Sequence, residues 1–245
     1  MTIWAIADLH LAFSTPDKSM EFFEGPWIGY MDKIEKNWKA HVQANDLVLL
    51  AGDISWAMKL HEAKIDLEWI DKLPGQKVMI KGNHDYWWDS IAQLRKMLPP
   101  SIHAIQNDVF KWNGIEIGGA RLWDTPEYSY SSYVAFKHNP RAKEKDISAD
   151  EAEKVFVRDL SRLEMSLKEM KGDKRIAMVH YPPIGPNLDP SRASKILEKY
   201  KINQCVFGHI HLVKPESIPL GCARGVTYHL TAADYLQFIP KKIDL

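Results

Sequence analysis

Lys77-Val78-Met79-Ile80-Lys81-Gly82-Asn83-His84-Asp85 decides the fold: a short apolar run that stops abruptly at a glycine and three polar, metal-competent side chains. Four other runs end the same way. Residues 3–7 stop at Asp8-Leu9-His10, residues 47–51 at Gly52-Asp53, residues 175–179 at His180, and residues 204–207 at Gly208-His209-Ile210-His211. Continuous apolar runs of this length, separated by helical patterns, read as strands buried on both faces, the mark of α/β units with parallel strands. In such sheets ligands gather beyond the carboxyl ends of the strands. The five polar clusters, spread from residue 8 to residue 211, are therefore expected to converge on one edge of one sheet.

Between the runs, Leu60, Ala63, Leu67 and Ile70 keep helical spacing before Pro74-Gly75, as do Ile91, Leu94 and Leu98 before Pro99-Pro100. Residues 102–105, 109–112 and 115–118 form shorter runs, with the type I′ hairpin signal Asn113-Gly114 between the last two. Residues 226–230 and 235–239 read as a further strand pair. A second, partly antiparallel sheet follows, and with it an α/β sandwich of two sheets flanked by helices. Residues 124–145, rich in Tyr, Ser, Lys and Arg, read as a lid. Ser148 and Glu151 then form a capping box, and Val155, Phe156, Leu160, Leu163, Leu167 and Met170 lie on one helical stripe, so the stretch around 124–172 is a lid insertion that includes a helix.

Composition removes several alternatives. In 245 residues, 45% hydrophobic and 26% charged side chains exclude a disordered or fibrous chain, and residues 1–245 read as one domain. Thirty-two Lys plus Arg against 32 Asp plus Glu leave no formal net charge, so nothing draws the whole molecule to nucleic acid or an anionic membrane. Cys205, in an apolar run, and Cys222 are too few for a disulfide scaffold, and Asp8 and His10 interrupt the amino terminus before a leader or a membrane span is complete. A soluble, cytoplasmic protein is expected.

The polar clusters supply oxygen and nitrogen donors without thiolate, a set suited to Mn, Fe, Zn, Ni or Co in an open, catalytic site. Asp8, His10, Asp53, Asn83, His180, His209 and His211 make seven ligands, too many for one ion and suitable for two divalent ions that share a carboxylate. Two such ions about 3.5–4 Å apart acidify a bridging water and clamp the oxygens of an in-line phosphoryl displacement, so phosphoester hydrolysis is the reaction class implied. Manganese is the favoured metal.

In that order, DLH, GD, GNHD, a lone His after a strand and GHIH resemble the calcineurin-like metallophosphoesterase superfamily over most of the chain. The resemblance implies a four-layer α/β/β/α sandwich of two mixed sheets around a dinuclear centre. It gives Asp8, His10 and His211 to one metal, Asn83, His180 and His209 to the other, and Asp53 to both. It makes His84 the group that contacts the phosphate and protonates the leaving oxygen while a bridging hydroxide attacks phosphorus, with Asp85 orienting the His84 ring. Gly52-Asp53-Ile54-Ser55-Trp56 lacks the acidic residue and Arg of protein Ser/Thr phosphatases, and His84 stands where UDP-diacylglucosamine pyrophosphohydrolases carry Arg. The pattern looks closest to uncharacterised bacterial phosphohydrolases.

The expected substrate is a small-molecule phosphoester, monoester or diester. A nuclease and a catalytically silent metal-binding scaffold are the alternatives; net neutrality counts against the first and the full ligand set against the second. Arg121 stands either to grip the substrate phosphate or to serve in a surface ion pair. His138, beside Lys137 in the lid, is a second candidate phosphate contact, with a solvated basic loop as its ordinary reading.

Overall fold

In the computed structural model, which describes residues 1–135, 148–214 and 217–245, every run that ends in a polar cluster is a strand. The elements are β1 (Ile3–Ile6), α1 (Tyr30–His41), β2 (Leu47–Leu50), α2 (Leu60–Asp71), β3 (Gln76–Met79), α3 (Ile91–Met97), β4 (Ile102–Ala104), β5 (Val109–Trp112), β6 (Ile115–Ala120), α4 (Ala149–Leu167), β7 (Lys174–Val179), α5 (Arg192–Lys199), β8 (Gln204–Phe207), β9 (Cys222–Ala223), β10 (Val226–Leu230) and β11 (Lys241–Ile243). One sheet has the order β11-β1-β2-β3-β4 and the other β5-β6-β7-β8-β10-β9. Strands β1 to β4 run parallel with β11 antiparallel at the edge. The second sheet has a parallel centre, β6-β7-β8-β10, between antiparallel edges β5 and β9.

Strand side chains alternate between two destinations because the pleat has period two. Ile3, Ala5, Leu47, Leu49 and Val78 face Ile176, Met178 and Val206 across the gap between the sheets. Their neighbours Ile6, Val48, Leu50 and Met79 face outward and pack with Ile34, Trp38, Leu67 and Leu94 of α1, α2 and α3. On the other side Ala177, Val179, Cys205 and Phe207 pack with Phe156, Leu163, Leu167 and Leu197 of α4 and α5. Three apolar cores thus separate four layers, α/β/β/α.

Several expectations need correction. The five clusters do not end strands of one sheet: three follow β1, β2 and β3 of the first and two follow β7 and β8 of the second. Strands buried on both faces look alike in one wide sheet and in a sandwich, so the run pattern does not separate these arrangements. Residues 235–239 form no strand: 235–238 are a turn, with Gln237 (φ 52°) and Phe238 (φ 62°) in the left-handed region. Their apolar character comes from Phe238, buried in the first helix–sheet core, while β11 takes the strand position beside β1. β4 joins the first sheet, parallel to β3. The hairpin signal is correct: Asn113 (φ 47°) and Gly114 (φ 77°) join antiparallel β5 and β6 with the backbone a type I′ turn requires.

Within the insertion around 124–172, α4 begins at the expected capping box, with the Glu151 N–H donating to Ser148 Oγ and the Ser148 N–H to Glu151 Oε2. Its buried stripe supplies the fourth layer and is core rather than lid; residues 136–147 of the expected lid lie outside the described residues. No helix among the described residues is long and apolar enough to cross a membrane.

Candidate metal centre

The backbone turns sharply where the strands end. Asp8 (φ 58°), His10 (φ 46°), Asp53 (φ 52°) and His209 (φ 72°) all adopt left-handed conformations, which cost non-glycine residues energy and recur at functional sites. Hydrogen bonds from neighbouring elements hold these turns: the Asp8 N–H donates to Gly52 O (2.9 Å), the His10 N–H to Asp53 O (3.0 Å), and the hydroxyl of Tyr30 on α1 to His10 O (2.6 Å). Two glycines permit the close approach. A Cβ on Gly82 would lie 2.1 Å from Asp53 Oδ1, and one on Gly208 would lie 2.3 Å from Asp8 Oδ2, so no larger residue fits without displacing a carboxylate.

These turns bring all seven expected ligands together. His10 Nε2 lies 3.3 Å from His211 Nε2, and His211 Nε2 lies 3.7 Å from Asp8 Oδ1. Asn83 Oδ1 lies 2.7 Å from His180 Nε2 and 2.9 Å from His209 Nδ1. Between these two groups sits Asp53, whose Oδ2 is 3.7 Å from His10 Nε2 and 3.4 Å from His180 Nε2. Donor atoms of Asp8, His10 and His211 lie within 4.8 Å of one another, as do those of Asp8, Asp53 and His180.

The electrostatics suit a cation. Burial pushes the Asp8 carboxyl up to about 7, against the pull of His211 and His180. Burial opposes charge on His180 and His211 too, yet Asp53 raises the first to about 9 and Asp234 raises the second to about 9. Burial would likewise raise Asp53, but His180 holds its carboxyl well below the usual range. Without a metal, buried carboxylates thus draw protons onto imidazoles, and positive charge gathers where an ion would sit. Burial and neighbouring imidazoles push His10 and His209 well below the usual imidazole range, leaving lone pairs free for coordination. The donor set therefore fits divalent metal.

Second-layer contacts select the tautomers. His180 Nδ1 lies 3.0 Å from Ala51 O, which only accepts, so in the neutral ring that a metal would bind the proton sits on Nδ1 and the Nε2 lone pair faces Asn83 and Asp53. His211 Nδ1 lies 3.0 Å from Asp234 Oδ1, which frees its Nε2 in the same way. Asp234 was absent from the sequence reading because it lies in the turn after β10, with no strand-end motif to mark it. Trp56, three residues after Asp53, carries no motif signal of its own; its ring stacks on His10 (4.7 Å, 19°) and lies 4.5 Å from the His84 ring.

His84 sits beside this cluster, with its N–H donating to Asp53 Oδ1 (2.8 Å) and its ring 5.7 Å from that of His10. The fully buried Asp85 accepts from the backbone N–H groups of Gly82 (2.7 Å), Ile54 (2.8 Å) and Ser55 (3.2 Å) and from the Trp87 indole (3.1 Å). Its carboxylate thereby ties the loop after β3 to the loop after β2. Arg121 pairs with the buried Asp159 (3.0 Å) and stacks on Trp123 (4.7 Å). His138 lies outside the described residues. Beside His209 and His211 opens a cavity of about 840 Å³, walled by Trp123, Tyr128, Tyr130 and Tyr181. Tyr128 and Tyr130 are fixed there by hydroxyls that donate to Pro182 O (2.6 Å) and Ile184 O (2.7 Å).

No curated protein matches the sequence. Solved structures of similar fold include a protein of unknown function from Aquifex aeolicus (TM-score 0.50, 15% identity, 98% of this chain and 95% of that one). Another is phosphopantetheinyl hydrolase from Mycobacterium tuberculosis (TM-score 0.55, 13% identity, 99% of this chain and 95% of that one). At these identities the likeness concerns the fold. The sequence itself goes further: residues 1–213, a span that carries every cluster described above, match the calcineurin-like phosphoesterase family, and the chain belongs to that family.

Proposed function

We propose that the chain is a dinuclear metal-dependent phosphoesterase acting on a small-molecule phosphomonoester or phosphodiester. Family membership supports metal-dependent phosphoester hydrolysis. The observation that carries the dinuclear reading is the place of Asp53 Oδ2, 3.7 Å from His10 Nε2 in one donor group and 3.4 Å from His180 Nε2 in the other. Asp8, His10 and His211 would hold one ion, Asn83, His180 and His209 the second, and Asp53 both. When bound, two divalent ions, manganese the favoured pair, supply Lewis acidity that lowers the pKa of water and takes up charge on phosphoryl oxygens.

The chain's own groups do the rest. His84 holds a proton for the leaving oxygen, a task suited to an imidazole near neutral pH. Its loop is fixed by the N–H bond to Asp53 and by Asp85, and its ring by Trp56. The aromatic cavity beside His209 receives the leaving group. Its described lining includes Asp124 and neither Lys nor Arg, which favours an uncharged, ring-bearing group over a nucleic-acid backbone. We read residues 1–245 as one domain, since β11 near the carboxyl end pairs with β1, and assign it to the cytoplasm, since Cys205 and Cys222 are both free.

The test is hydrolysis of chromogenic monoesters and diesters by manganese-loaded protein, with metal content measured in parallel and Asp53→Asn as the blank. Two ions per chain and turnover abolished by chelation are expected. A folded protein that binds two ions and cleaves no phosphoester would overturn the catalytic reading; one that binds a single ion would overturn the dinuclear one.

A further inference from the structure

A second cavity, of about 260 Å³, opens beside α4 at strand ends of both sheets. Its lining comes from the carboxyl ends of β3, β4 and β6 and from one face of α4. Among the described residues four cations border it: Lys81, Arg121, Arg158 and Arg162. Among the described residues only two carboxylates do, Asp89 and Asp159.

Asp159 is 1% exposed and receives all three guanidinium groups, from Arg121 (3.0 Å), Arg162 (2.9 Å) and Arg158 (3.8 Å). One buried carboxylate orients three arginines but neutralises a single charge. Arg158 and Arg162 keep 53% and 44% of their side chains exposed, so each retains donors for a further partner. Lys81, just after β3, also borders the cavity and donates to Trp88 O (2.5 Å). Holding converging guanidinium groups together without an added anion is unfavourable, and planar forks of this kind match phosphate and carboxylate oxygens.

We propose that this cavity is an anion site, separate from the metal centre, that takes a phosphate or carboxylate group between Lys81, Arg158 and Arg162. Arg121 links it to the reaction site: its guanidinium stacks at 4.7 Å on Trp123, which walls the larger cavity beside His209. Its carbonyl also accepts the N–H groups of His180 (3.1 Å) and Tyr181 (3.0 Å). The occupant is a second anionic group of the substrate or free phosphate. The site stands apart from the hydrolysis reading; the choice of occupant rests on it.

Binding of inorganic phosphate to metal-stripped protein, followed by calorimetry, tests the site without any turnover. The wild type should bind, and Arg158→Gln/Arg162→Gln, which leaves Asp159 paired with Arg121, should bind about tenfold more weakly or worse. Arg158→Lys/Arg162→Lys, with charge kept, should retain part of the affinity and guards against a folding artefact. No binding in the wild type, or binding equal in the Gln variant, overturns the proposal and leaves the hydrolase standing. The metal-loaded enzyme then distinguishes the sources. A lower KM for a substrate with a second phosphate, lost in the Gln variant, assigns the site to the substrate; equal KM values assign it to free phosphate.

Discussion

The two sheets meet at the centre with different chemistry. The first supplies Asp8, Asp53 and Asn83, the oxygen donors, together with His10; the second supplies only imidazoles, His180, His209 and His211. Their supports differ accordingly. Oxygen donors are steadied by N–H groups: His209 N–H donates to Asp8 (3.0 Å to Oδ2) and His84 N–H to Asp53 (2.8 Å). Two of the imidazoles are steadied by acceptors, Ala51 O for His180 and Asp234 for His211. Two of these four supports cross between the sheets, from His209 to Asp8 and from His180 to Ala51. The centre is therefore part of the sandwich joint, and its geometry depends on how the sheets pack.

Asp53 is where this division is most exposed to attack, because one carboxylate oxygen faces an imidazole from each sheet. Asp53→Asn keeps the shape and the oxygen that accepts from His84 but removes the charge. Loss of several kcal/mol of transition-state stabilisation is expected, about a thousandfold in kcat. Metal analysis of the same variant should find fewer than two ions per chain with the thermal transition still cooperative. Full metal content would mean that the two donor groups do not depend on a shared carboxylate.

A smaller and more selective effect is expected at His84, which belongs to the first sheet's loops but is not among the proposed ligands. His84→Ala should cut turnover of esters with poor leaving groups about 10²–10⁴-fold, the usual range for a positioned general acid. Esters with acidic leaving groups, which depart unaided, should change little, and metal content should stay intact. A uniform fall across leaving groups would assign His84 to phosphate binding instead; a fall in metal content would move it into the ligand set.

What the sequence made legible follows the same line. Asp8, His10, Asp53, Asn83, His180, His209 and His211 stand at the ends of apolar runs, where local pattern and chemistry coincide, and the structure brings all seven together. Gly82 and Gly208 belong to those motifs, but their reason, contact with Asp53 on the neighbouring strand end and with Asp8 across the gap between the sheets, is tertiary. The assignment of strands to sheets was not legible, because strands buried on both faces carry the same apolar run in either arrangement. Residues 235–239 misled for a related reason: Phe238 is apolar because it fills a core, not because it lies in a strand. Arg121 was poised between two readings that local sequence weighs equally, and its partner Asp159 lies 38 positions away on α4.

Asp234 tests the second sheet's side of the comparison. It holds His211 through Oδ1 (3.0 Å) and accepts the Leu212 N–H through Oδ2 (2.8 Å), so both oxygens of one carboxylate fix the imidazole and its backbone. An amide in its place has one acceptor, and whichever bond it keeps, the other faces an N–H donor. Asp234→Asn should therefore weaken the ion assigned to Asp8, His10 and His211 by roughly 10–100-fold, the usual cost of losing a ligand's supporting partner. The ion assigned to Asn83, His180 and His209 should be held as before, because His180 leans on the Ala51 carbonyl, which no side-chain substitution removes. A metal titration of wild type and variant separates the cases: one weakened step of two is the expected result. If both steps weaken together the two donor groups act as a single unit, and if neither does, packing alone orients His211.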